Sequence, residues 1–167
     1  MATDYRFDDR HITWRPFRGP AGLSFWVLDV NQPRQHVDIL FKLDPLARCV
    51  PHCHVGPTNT LVVDGEHRTY TKTGDDWSLD QVRPPGTFVT HDGDSTHIEE
   101  GGPDGAIVLL SMQAVDGVIW EVLDDTGAVA EATTVDDFVR AFERQPMLAA
   151  APTGGLRARP NFVVESR

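Results

Sequence analysis

Cysteine is almost missing from this chain. Its 167 residues hold two, Cys49 and Cys53. If residues 49–53 are extended, their Cα atoms stand roughly 13 Å apart, beyond the reach of a disulfide. A disulfide-stapled domain is thereby excluded, and a reducing compartment, the cytoplasm, is expected. Both thiols read as small buried hydrophobes. Positive charge is short as well: 15 Lys and Arg against 25 Asp and Glu leave a formal net charge of -10. Such a surface repels phosphate backbones and anionic headgroups, so neither nucleic acid nor membrane is an expected partner. No apolar run is long enough to span a bilayer, and Met1–Arg6 lacks the apolar core of a signal peptide. Repeats are absent too, and the length suits one domain with a real core.

What is present is a series of short β-type segments separated by turn residues. Residues 1–20 are charged and broken by proline, and read as an arm packed over the domain or over a partner subunit. Leu23–Val30, Arg34–Leu43, Cys49–His54, Asn59–Asp64 and His67–Lys72 follow, with Asp64-Gly65 as a hairpin signal. Gly86–His91, Thr96–Glu99, Ala106–Gln113 and Val118–Leu123 complete the series. Many short strands with Gly/Pro/Asp turns predict an all-β sandwich or barrel. One helix is predicted over Val135–Gln145, with Thr134 as N-cap, an apolar stripe of Val135, Phe138, Val139 and Phe142, and Pro146 as the stop. The expected organisation is an arm (1–20), a barrel (21–130), and a helix with a tail (131–167). Asn161–Glu165 could add a last strand. Open sheet edges and the arm predict a homodimer.

His52 and His54 carry the chemistry. Side chains alternate along a strand, so both imidazoles share a face and Cys53 takes the other. Two imidazoles on one face can grip one metal ion. His97, on a later strand after a Gly/Asp turn, is the third expected ligand. Imidazole suits Fe(II), Zn, Ni and Cu. Three neutral ligands leave open positions for water, substrate or oxygen. His91 is open to three readings: fourth ligand, acid/base beside the metal, or exposed edge residue. His11, His36 and His67 have no identifiable partner. Glu99 shares the parity of His97, yet with Glu100 it reads as a solvated acidic rim. Thr58 and Asn59 are placed to hydrogen-bond a ligand. Phe88, Trp26, Leu110, Met112 and Trp120 are candidates for an apolar pocket.

At these residues the chain resembles the cupin superfamily. The first cupin motif is His-x-His, then Glu, then Gly; here it reads His52-Cys53-His54, Thr58 in the glutamate position, and Gly65. The second is looser: Gly93-Asp94-Ser95-Thr96-His97, with no proline before it and Gly101 in place of asparagine. Without the glutamate, the resemblance implies a three-histidine site. The pattern is similar to the branch of acetylacetone and dihydroxyacetophenone dioxygenases. Pro85-Gly86-Thr87-Phe88-Val89 and the apolar strand, Asp/Gly turn and helix from Val118 to Gln145 match its order. Where that branch places an acid before the second motif, this chain has His91.

The resemblance implies a single-domain cupin holding Fe(II), with Zn, Ni or Mn as other metals, on His52, His54 and His97. It implies O2 and a β-diketone or hydroxyketone as partners, and cleavage of a C–C bond. His91 would be the catalytic residue, with Thr58, Asn59, Phe88, Met112 and Trp120 at the substrate. Two other classes stay open. One is a non-oxidative metallo-cupin acting as isomerase, lyase or hydrolase; the other is a binding or sensor module without catalysis.

Overall fold

The computed structural model describes residues 6–146. Ten strands and one helix follow in order: β1 (Arg15–Pro16), β2 (Leu23–Asn31), β3 (His36–Leu43), β4 (His52–His54), β5 (Thr58–Thr73), β6 (Asp76–Arg83), β7 (Phe88–His91), β8 (Ser95–Gln113), β9 (Val118–Leu123), β10 (Val129–Thr134) and α1 (Val135–Glu143). All the strands join in one hydrogen-bonded sheet, ordered β1-β2-β3-β8-β4-β9-β10, with β5 on the other edge of β8 and β6 and β7 on β5. The sheet curls around the larger of two apolar clusters. Among the described residues it is an all-β barrel followed by one helix, the fold class that the strand and turn pattern predicts.

The centre of the fold is β8. Ser95–His97 pairs with β4, Ile98–Gly101 pairs with the far half of β5, and Ala106–Gln113 lies between β3 and the near half of β5. One strand can serve three neighbours because it turns a corner at Gly101–Gly105. The partner strand turns with it at Gly65, whose φ of 71° lies in the left-handed region. A Cβ on Gly65 would run into the carbonyl oxygen of Gly105, so the two corners touch through backbone alone.

This geometry corrects several expectations. Asp64-Gly65 is a bend inside one long strand, not a hairpin turn, because bulges on both sides shift the register without reversing the chain. Thr96–Glu99 and Ala106–Gln113 are likewise one strand. The reversal falls instead at Gly74, leading into β6. β6 and β10 were not expected: both are exposed over most of their length and lack apolar alternation. The segment around Cys49 is extended only from His52, with Pro51 before it. Helix α1 ends at Glu143, two residues early. Its N-terminus is a capping box: Thr134 accepts from the Asp137 amide and Asp137 accepts from the Thr134 amide. Asn161–Glu165 lies outside the described residues.

Alternation along β3 divides two apolar layers. Val37, Ile39, Phe41 and Leu43 point inward with Val27, Val62, Val108, Met112 and Ile119, and α1 closes this core with Val135 and Phe138. Each such side chain contributes roughly 1.5–3 kcal/mol. Leu40 points outward and joins Trp26 and Ile107, which the arm covers with Phe7, Ile12 and Trp14. Trp26 therefore belongs under the arm and not to the pocket where it was expected.

Candidate metal centre

β4 is only three residues long, yet it is hydrogen-bonded on both sides, to β8 and to β9. His52 lies directly opposite His97, and His54 opposite Trp120. The strand's alternation turns His52 and His54 into the barrel and leaves Cys53 pointing out, where it is partly exposed. The ring centroids of His52, His54 and His97 lie 4.5–5.3 Å from one another. One side chain joins them that was assigned elsewhere: Glu99 is only 4 % exposed and faces inward. Ligand atoms of His52, His54, His97 and Glu99 all lie within 4.8 Å of one another. Donors about 2.1 Å from one ion stand about 3–4 Å apart, so a small contraction would close the group around a cation.

Glu99 corrects the expected acidic rim and adds a carboxylate to the candidate donor group. Its parity with His97 was the usable signal. The neighbouring Glu100 does take the other face, where it binds Arg48, Arg68 and the Tyr70 hydroxyl. Thr58, in the motif position of the usual glutamate, is buried with its hydroxyl donated to Gly56 O. The carboxylate nearest the three imidazoles comes from β8, not β5.

The protonation states suit metal binding. His52 Nδ1 donates to Val50 O (3.0 Å) and His97 Nδ1 to Ser95 O (2.9 Å). Each leaves Nε2 bare toward the group. Burial, reinforced by the other imidazoles, keeps His54 neutral well below the usual histidine range. Burial and then His52 lower His97 to about 4. Burial alone would raise Glu99, but the hydrogen bond from His67 and the charges of His67, His52 and His97 outweigh it and hold the carboxyl well below its usual value. His54 Nδ1 is buried without a partner, an orphan that a cation would satisfy. Ring nitrogens facing the group, an ionised carboxylate and an orphaned nitrogen fit a divalent transition metal.

His52, His54 and Glu99 line a cavity of about 30 Å³ with Phe17, Phe41, Cys49, Val50, Leu110, Trp120 and Val122. That is room for an ion and about one water. Trp120 and Leu110 are both in this lining. Met112 is fully buried in the core away from this lining, and Phe88 is 61 % exposed on the opposite face of β7. Asn59 points outward, being out of phase with Thr58 and Thr60. His91 is exposed, pairs with Thr58 in the β5–β7 register, and accepts a hydrogen bond at Nδ1 from Gly93 N (3.3 Å). Neither His91 nor Phe88 is in the four-donor group. His67, which had no sequence signal, is fully buried against Glu99.

A curled antiparallel barrel carrying inward histidines on β4 and β8 defines a cupin with a site competent for metal. The family model for the ChrR cupin-like domain matches residues 2–116, and the chain belongs to that family. Two similar solved structures are a putative acetylacetone dioxygenase from Methylibium petroleiphilum PM1 and an acetylacetone dioxygenase from Acinetobacter johnsonii. The first is 15 % identical, with 85 % of this chain and 96 % of that one covered at a TM-score of 0.63. The second is 16 % identical, with 87 % and 95 % covered at 0.61. An RmlC-like cupin from Ralstonia eutropha JMP134 is 16 % identical, with 78 % of each chain covered at 0.63. At these identities the likeness is one of fold. No curated protein matches the chain in sequence.

Proposed function

We propose that this protein is a metal-dependent cupin enzyme, a non-heme Fe(II) dioxygenase that cleaves a C–C bond in a β-diketone or hydroxyketone. The observation that carries the metal reading is the convergence of His52, His54, His97 and Glu99 on one buried point. The fold shared with acetylacetone dioxygenases supports the reaction class. Bound Fe(II) would supply redox capacity and open positions for O2 and a chelating enolate.

The chain's own residues have distinct parts. His52, His54, His97 and Glu99 hold the ion. Phe41, Leu110, Trp120 and Val122 keep water from the cavity. His91 is exposed on β7, opposite Thr58. Its Nδ1 accepts from Gly93, which leaves Nε2 free, and the role we assign to Nε2 is donation to a substrate oxygen. Phe17, edge-on against Phe41 and close to Trp120, is part of the same apolar wall.

A second reading has one observation in its favour. Glu99 already brings negative charge to the donor set, which suits Zn, Ni or Mn in a non-oxidative isomerase, lyase or hydrolase. Oxygen uptake by Fe(II)-loaded protein on a panel of diketones and hydroxyketones separates the two. Oxygen consumed in step with substrate supports the dioxygenase. Turnover without oxygen supports the second reading, and tight binding without turnover indicates a sensor module.

We also place the protein in the cytoplasm as a homodimer. Two free thiols support the first. The open edge at β6, with Leu79, Val82 and the nearby Phe88 exposed, supports the second. A monomeric mass by sedimentation at micromolar concentration would count against the dimer.

A further inference from the structure

We propose that His67 is a positioning residue for the metal centre: it pins one oxygen of Glu99 so that the other faces the three imidazoles. The proposal rests on the metal reading above and goes beyond it, since His67 touches no metal position itself. His67 lies on β5, two residues past the Gly65 bend and opposite Gly101, with no exposed surface. Its Nε2 lies 2.9 Å from Glu99 Oε1, while Glu99 Oε2 lies 3.6 Å from His52 Nε2. The two carboxylate oxygens thus have separate partners. One is tied to the barrel wall; the other is turned into the donor group.

Three features argue that this contact does more than fill space. The bend at Gly65 is what swings the far half of β5 against Ile98–Gly101, so the corner of the fold exists where His67 meets Glu99. The His67 ring leaves Nδ1 buried with no partner, an arrangement that an apolar filler would avoid. No second hydrogen bond to the Glu99 side chain is present among the described residues, so the carboxylate's angle depends on His67. Arg83, opposite His67 on β6, adds only a longer-range charge. Partners of this kind fix the orientation of a ligand and tune its affinity for the ion.

Cobalt(II) binding tests the assignment, because its visible spectrum reports coordination without any turnover. His67→Phe, checked for fold by circular dichroism, is expected to weaken Co(II) binding about 10–100-fold and to shift the d–d bands. His67→Gln places its amide nitrogen where the imidazole carries Nε2, and should restore most of the affinity and the wild-type bands. In a Glu99→Gln background, His67→Phe should change the affinity little further. If His67→Phe does not fold, His67→Asn, whose amide is too short to reach, takes its place and is expected to lose affinity where Gln retains it. Wild-type affinity and spectrum in a folded His67→Phe or His67→Asn protein would overturn the positioning role alone. Wild-type protein that takes up no Co(II) would overturn the metal centre and this proposal with it.

Discussion

At the scale of single residues, the site is built from groups whose charge the barrel decides. An unfolded histidine titrates near 6.5, whereas folded His97 is held at about 4, by burial first and His52 second. Between those values the unfolded chain binds a proton that the folded chain refuses. Metal-free protein is therefore expected to lose stability as pH falls from about 6.5 to about 4, at roughly 1.4 kcal/mol per pH unit for each such group. His54 acts in the same direction. Glu99, whose carboxyl is held down in the fold, adds to the loss below about 4.5, the usual carboxylate value. Urea unfolding in chelator across pH 7 to 4 measures the slope; a flat profile would contradict these environments. His97→Ala removes one donor and opens the group on the β8 side. Bound metal should fall to background in that variant while the circular dichroism of the sheet persists.

The elements owe their lengths to backbone devices more than to side chains. β5 and β8 run on where turns were expected because Gly65 and Gly101–Gly105 let them bend instead of reverse. Gly65→Ala would place a Cβ against the Gly105 carbonyl at a left-handed φ. A loss of about 3 kcal/mol is expected, with metal binding weakened as well, since the same corner sets His67 against Glu99. Thr134→Ala removes the cap of α1, and with it the donor to Asp137 Oδ2 at 2.6 Å. It should reduce stability by about 1 kcal/mol and leave metal affinity unchanged. Thermal melts and metal titrations of the two variants together separate the corner, which serves the site, from the helix, which only closes the core.

For the whole molecule, the centre joins two strands that are far apart in sequence and adjacent in space. A cation bound only by the folded form stabilises it by mass action, by about 2.7 kcal/mol at one hundred times the dissociation constant. Addition of Fe(II) under anaerobic conditions, or of Zn(II), is expected to raise the melting temperature, and chelator to reverse the rise. The same addition should leave His97→Ala unmoved. A rise of equal size in that variant would mean that the cation stabilises the protein somewhere else.

Much of this protein was legible in its order of residues. Alternation and turn chemistry specify an all-β barrel, and a period of two places His52 and His54 on one face with Cys53 on the other. The Thr134 cap and the apolar stripe from Val135 to Phe142 specify the helix start. These features are local, and local rules read them. What distance in sequence conceals is decided by tertiary structure. A glycine in a hairpin and a glycine at a strand corner look alike in sequence. Only the approach of Gly65 to Gly105 makes the corner. Glu99 and Glu100 are chemically identical neighbours, and alternation fixes only that they face opposite ways. Which face becomes the interior depends on β4 and β5 packing on either side of β8. His67 carried no signal because its one partner lies 32 residues away and comes within reach only when the sheet curls. Burial then sets a common histidine against a common glutamate beside three inward-facing imidazoles.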